Sequence, residues 1–180
     1  MVVIAFIEDL LEESKRRLYR MLRDLTPEEL VWQPAADANS IGFIVWHVAR
    51  VEDRWLAGFA VKHITECWIR DGWAERLNMS ASDTGVGFTS EQIDQFNKQM
   101  PPIADVIAYF DTVREDMLIY LRSLNEADLD VAPRRVPFPE VGTLPSDFTI
   151  GRMFRQLIGE YNQHLGQVSY LRGLQRGLNQ

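Results

Sequence analysis

A chain of 180 residues, 46% hydrophobic and 25% charged, has the composition of an ordinary soluble globular protein and the length of one domain with one core. Its net charge of −7 and pI of about 5.0 argue against a nucleic-acid footprint, which needs a concentrated basic surface. No stretch approaches the ~20 uninterrupted apolar residues of a membrane-spanning helix. The short basic runs Lys15-Arg16-Arg17 and Arg134-Arg135 read as solvated faces. The single cysteine, Cys67, cannot form an internal disulfide, which fits a reducing compartment. The opening "MVVIAFIEDLLEESKRR" lacks a basic leader, and Glu8 and Asp9 cut its apolar run, so it reads neither as a signal peptide nor as a span. The expectation is a cytoplasmic protein.

Four long helical patterns follow one another, with almost no strand pattern. The first spans residues 3–24, with apolar positions such as Phe6, Leu10, Leu18 and Leu22 mostly at three-four spacing. In "TPEEL", Thr26 is an N-cap, Pro27 suits the first helical position and Glu29 completes a capping box, predicting a short helical turn. The second long helix is expected over 40–63, capped by Ser40 or Asn39, and is apolar nearly all round in its first half. Residues 64–102 are irregular, rich in Trp and Gly, with a capped short helix at "TSEQIDQFNK". Pro101 and Pro102 introduce the third long helix, 103–124, whose stripe includes Ile103, Val106, Phe110, Val113 and Met117. "LNEADLD" adds a turn, and "VAPRRVPFPEVGTLPSD" is a Pro-rich loop. The fourth helix spans 149–175, with Gly173 and Gly177 available to end it. No repeat and no dividing linker is present. The expected fold is all-α, one four-helix bundle over residues 1–180 with long irregular connections.

In the fourth helix, "GEYNQHLGQVSYLRGL" places Glu160 and His164 four residues apart, on one face. At roughly 100° per residue, Ile150, Met153, Leu157, Val168 and Leu171 lie within about 40° of His164, and Glu160 within about the same margin. The pair therefore falls in the apolar stripe and is expected to face the core. A buried carboxylate must be paired, protonated or coordinated. A Glu–His hydrogen bond is one answer. A metal is another, because i,i+4 side chains present two ligands to one ion. His47, in the apolar "GFIVWHVAR", is the candidate third ligand. Two His and one carboxylate would leave coordination positions open and would suit zinc, nickel, iron or manganese. His63 lies about 160° round from His47 and is read as a last-turn cation at the helix dipole. Cys67 reads as inert, and Trp55, Trp68 and Trp73 as packing residues. Tyr161, Gln167 and Arg172 are supporting or surface candidates.

"NSIGFIVWHVARVEDRWL" and "EYNQHLGQVSYLRGL", together with "LVWQP" and "GVGFTSEQI", resemble the DinB-like superfamily of four-helix metal-binding proteins, which includes the bacterial S-transferases that use bacillithiol or mycothiol. The resemblance covers most of the chain, and its specific part is the two His-bearing motifs. It implies three histidines on a divalent metal, one on the second long helix and two on the fourth. His47 matches the first and His164 the last, whereas Glu160 stands at the middle position. That departure alters the charge of the set, and either a changed metal preference or a degenerate site would follow from it. The resemblance also implies a homodimer.

Three functions stay open. The first is an enzyme in which a metal held by His47, Glu160 and His164 activates a low-molecular-weight thiol or water, for S-transfer or a related hydrolysis of a small molecule, with no general base evident. The second is a non-catalytic bundle that holds a metal or small ligand, as in a stress response. The third is a purely structural His/Glu network.

Overall fold

The structure, a computed structural model, describes residues 3–139 and 142–177. Its elements are α1 (Val3–Leu22), α2 (Pro27–Val31), α3 (Ile41–Trp55) continued by a π-turn (Leu56–Ala60), α4 (Cys67–Arg70), α5 (Trp73–Arg76), α6 (Ser90–Lys98), α7 (Ile103–Ser123), a 3-10 turn (Glu126–Asp130) and α8 (Ile150–Arg176). No strand occurs among the described residues. The four long helices form the bundle: α3 packs on α7 and α8, and α1 packs on α8 and α7.

The helix starts are where local chemistry puts them. Thr26 and Glu29 close a capping box ahead of α2, and Thr89 and Gln92 another ahead of α6. Ser40 accepts from the Phe43 amide and Thr149 from the Arg152 amide, each satisfying a donor that the first helical turn leaves open. A further capping box, Asn125 with Asp128, starts the turn in "LNEADLD". α8 ends at Gly177, the C-cap.

The second long helix departs from the expectation of 40–63. Regular α-helix stops at Trp55, one π-turn carries the chain to Ala60, and Val61 leaves in extended conformation. The Ala57-Gly58 pair explains the site of the change. Glycine weakens a helix by about 1 kcal/mol, and its missing side chain lets Pro137 approach: a Cβ on Gly58 would lie 3.1 Å from Pro137 Cα. His63 therefore does not occupy a last helical turn. It is exposed in a turn with φ of 65°, and the dipole role expected for it does not hold.

The core has two apolar clusters, one around Trp46, Trp68, Phe96, Val113 and Leu165, the other around Leu11, Trp55, Met117, Phe154 and Leu157. Between them each long helix contributes one polar residue. Ser14 lies between Leu11 and Leu18, Glu52 between Ala49 and Trp55, Arg114 between Val113 and Met117, and Tyr161 between Leu157 and Leu165. Arg114 Nε and Nη2 donate to the two Glu52 carboxylate oxygens at 2.9 Å each, while Tyr161 donates to Glu52 and Arg114 donates to the Leu11 carbonyl. Burial, followed by the Glu52 charge, raises the Tyr161 phenol well above its ordinary pKa, so it stays a donor. Fully desolvated charges survive only when paired and hydrogen-bonded in this way.

Candidate metal centre and its cavity

α3 and α8 carry the three residues singled out in the sequence, and the structure brings them to one place. The His47 and His164 rings stand edge to face, 5.2 Å between centroids. His164 Nε2 lies 3.7 Å from Glu160 Oε2. His47 and Glu160 line a cavity of about 500 Å³ together with Val51, Trp55, Phe138 and Phe148 among others, and His164 stands beside these two without lining it. Glu160 does not face the core. Its side chain is 32% exposed, against 14% for His164, and Gln156 Nε2 donates to its Oε1 at 2.8 Å. The angular margin that put Glu160 on the apolar stripe put it on the flank, where the helix meets the cavity rather than α7.

His47 is fixed from three sides. Phe43, one turn earlier, stacks on its ring at 5.7 Å and 5°. Its Nδ1 donates to the Thr84 carbonyl at 2.8 Å; a carbonyl only accepts, so the proton is on Nδ1 and Nε2 is a bare lone pair. The loop pressing on the ring needs Gly85, which has φ of 79° and whose Cβ, if present, would lie 2.8 Å from His47 Nδ1 and 3.0 Å from both Phe43 and Trp46. Burial lowers the His47 pKa to about 4, with the Thr84 carbonyl opposing the drop and His164 adding to it, so the ring is neutral at pH 7. His164 has the same arrangement: Nδ1 to Gln167 Oε1 at 3.0 Å, leaving Nε2 toward Glu160.

The loop is itself anchored to α3. The wholly buried Arg50 donates through Nε to the Asp83 carbonyl at 2.8 Å, through Nη1 to Tyr109 and Asp53, and through Nη2 to Glu66 at 2.7 Å. Asp53 accepts from the Cys67 and Trp68 amides, so it caps α4. Arg54 bonds Glu66 and the Pro137 carbonyl on the far wall of the cavity. None of Arg50, Glu52, Asp53, Thr84 or Gln156 was identified from the sequence. The charges of "ARVEDRW" fall within a helix read as apolar nearly all round only in its first half, and Thr84 acts through its backbone. Gln156 had one legible sign, its i,i+4 spacing to Glu160. Cys67 is buried with its thiol against Asp71, and burial followed by Asp71 pushes its pKa up, in keeping with an inert thiol.

As a donor set, two bare imidazole nitrogens and a carboxylate suit a divalent transition ion, and an Nδ1–H held by an oxygen acceptor is the usual support for a ligating imidazole. Among the described residues no three His, Cys, Asp or Glu side chains already stand as a group ready to hold a metal ion. The two rings are set by their Nδ1 partners, and the partly exposed Glu160 is set by Gln156.

The fold and the site define an all-helical bundle in which two histidines and one glutamate gather beside one cavity. The chain belongs to the DinB superfamily, whose sequence profile matches residues 10–168. A solved structure, that of a conserved protein from Enterococcus faecalis, is similar with a TM-score of 0.75 and 21% identity over 97% of each chain, a likeness of fold. No curated protein matches the chain. No helix among the described residues is long and apolar enough to cross a membrane.

Proposed function

We propose that this DinB protein binds a divalent metal ion through His47, Glu160 and His164 and uses it on a small molecule held in the adjoining cavity. The observation that carries the reading is the edge-to-face pair of imidazoles, each with Nδ1 engaged by an oxygen, and with His164 Nε2 3.7 Å from the Glu160 carboxylate. An imidazole pinned through Nδ1 by an oxygen acceptor presents its other nitrogen to an electrophile, the usual arrangement of a ligating histidine. When bound, the metal would supply Lewis acidity, lowering the pKa of a thiol or of water and so favouring S-transfer of a low-molecular-weight thiol or a related hydrolysis. The chain's own part is to hold the His47 ring neutral, to fix both rings through their Nδ1 partners, to keep Glu160 oriented through Gln156, and to exclude water with Trp55, Phe138 and Phe148.

A non-catalytic metal- or ligand-binding bundle is the second reading. It is favoured by the lining of the cavity, where His47 and Glu160 are the only titratable groups among the described residues, so a separate general base is lacking. The same proposal extends to a cytoplasmic homodimer. Exposed Tyr170 and Leu174 on α8, flanked by Gly166 and Gly173 where a Cβ would meet nothing within 4 Å, leave room for a close helix contact.

The test is elemental analysis of protein purified without a metal-affinity tag, followed by titration of the stripped protein with zinc, nickel, iron(II) and manganese. About one metal per chain, lost in His164→Ala with the helical circular dichroism kept, supports the metal site. No binding of any of the four, or unchanged binding in His164→Ala, refutes it. Turnover of thiols with electrophiles by the loaded protein then separates enzyme from binding module.

A further inference from the structure

We infer that the cavity beside His47 and Glu160 takes an uncharged small molecule with an aromatic or branched apolar body and a single polar head, and that in the metal-free protein it selects against anions. This deepens the metal reading by naming the substrate class of the same site.

Size comes first. About 500 Å³ lies within the range of pockets that enclose a small organic ligand. The shape of the lining is polarised. At one end stand His47, Gln156 and Glu160. At the other, Trp55 stacks on Phe148 at 5.7 Å and 17° and meets Phe138 edge-on at 5.8 Å, with Val51 and Leu144 completing the apolar wall. Flat aromatic faces held in place by one another offer van der Waals area at little entropic cost. A ligand that matches both ends carries its polar head toward the imidazole and its body toward the rings.

Charge decides the rest. Among the described residues lining the cavity there is no Lys or Arg, and Glu160 is the sole formal charge. Of the four arginines adjacent in sequence to wall residues, Arg50 is spent on Asp83, Tyr109, Asp53 and Glu66, Arg54 on Glu66 and the Pro137 carbonyl, and Arg135 on the Ala60 carbonyl, while the exposed Arg155 lies outside the lining. In the metal-free protein an anion would enter a partly dehydrated space beside a carboxylate with no countercharge, which binding rarely tolerates.

The experiment uses metal-free protein, so that its failure is separable from failure of the metal site. 2-Naphthol and 2-naphthoate, similar in body and differing in charge at pH 7, are titrated calorimetrically. The expected result is saturable binding of naphthol, with naphthoate about tenfold weaker or more. Leu144→Trp, which fills the apolar end from a loop, should abolish naphthol binding; Val136→Trp at the exposed rim is the second blocking variant should the first fail to fold. Glu160→Gln should narrow the gap between the two probes. Equal or tighter binding of naphthoate, no binding of either probe, or naphthol binding that survives a folded blocking variant would each overturn the inference. Metal uptake measured after reloading the same proteins reports on the metal site alone.

Discussion

His47 on α3 and His164 on α8 turn their Nδ1 atoms away from each other, to the Thr84 carbonyl and to the Gln167 amide oxygen, while their rings meet edge to face at 5.2 Å. Two helices far apart in sequence thus bring two imidazoles together beside the cavity that His47 lines. The acceptors that impose this lie outside both imidazoles, which makes the arrangement testable without touching either histidine.

Gln167 is the accessible handle. It is exposed, so Gln167→Leu should cost less than about 0.5 kcal/mol of stability, as surface changes usually do. Losing the acceptor frees the His164 ring to change tautomer and orientation. Metal affinity should fall about tenfold or more, the usual effect of removing such a support. Competition with a chromophoric chelator measures it, and an unchanged affinity would show that Gln167 does not set the ring.

Gly85→Ala should act on the other ring. At φ of 79° the position is strained for alanine, and the new Cβ would collide with His47 Nδ1, Phe43 and Trp46. Strain and overpacking together predict a loss of about 2–4 kcal/mol, read by urea denaturation. Because the colliding atom is the one bonded to Thr84, metal affinity should drop with stability.

Much of this was legible in the residues. Capping at Thr26, Ser40, Thr89 and Thr149 is encoded by side chains within four residues, and the helix starts fell where those caps lie. The face of α8 that bears His164 followed from helical phase, whereas His47 was singled out by the apolar run around it. What was not legible depends on contacts distant in sequence. The end of α3 is set by Pro137 against Gly58, and the hold on His47 by a backbone carbonyl 37 residues on. The burial of Arg50, Glu52 and Asp53 depends on Tyr109, Arg114 and Tyr161 from other helices. Glu160 shows the limit of phase itself: about 40° off the stripe's centre was enough to place it at the cavity rather than in the core.

The Glu52–Arg114 pair predicts a stability effect with no site effect. Arg114→Met leaves a wholly buried carboxylate with Tyr161 as its only remaining donor among the bonds described. Breaking a buried pair from one side costs about 3–5 kcal/mol. Glu52→Leu with Arg114→Met removes both charges and should recover most of that loss, since well-packed apolar replacements of buried pairs are often neutral or better. A denaturation cycle over the two singles and the double measures the recovery; a double mutant as unstable as the sum of the singles would contradict it.

Arg50 couples the fold to the site. It touches none of His47, Glu160 and His164, yet its Nε holds the Asp83 carbonyl, and the next carbonyl, that of Thr84, holds His47. Arg50→Lys keeps the charge but replaces a planar fork of donors with a single point that cannot reach Asp83, Tyr109, Asp53 and Glu66 together. Each lost charge-assisted bond is worth about 1.5–3 kcal/mol, so a fall in stability is expected and by itself says little. The discriminating quantity is metal affinity in the folded protein. If Arg50 positions His47 through the loop, Arg50→Lys lowers affinity about tenfold, whereas Arg114→Lys, which disturbs the neighbouring charge layer, leaves affinity near wild type at a similar cost in stability. Equal affinity losses in the two variants would mean that the site merely follows global stability. No loss in Arg50→Lys would mean that Phe43 and Gly85 are sufficient to hold the ring.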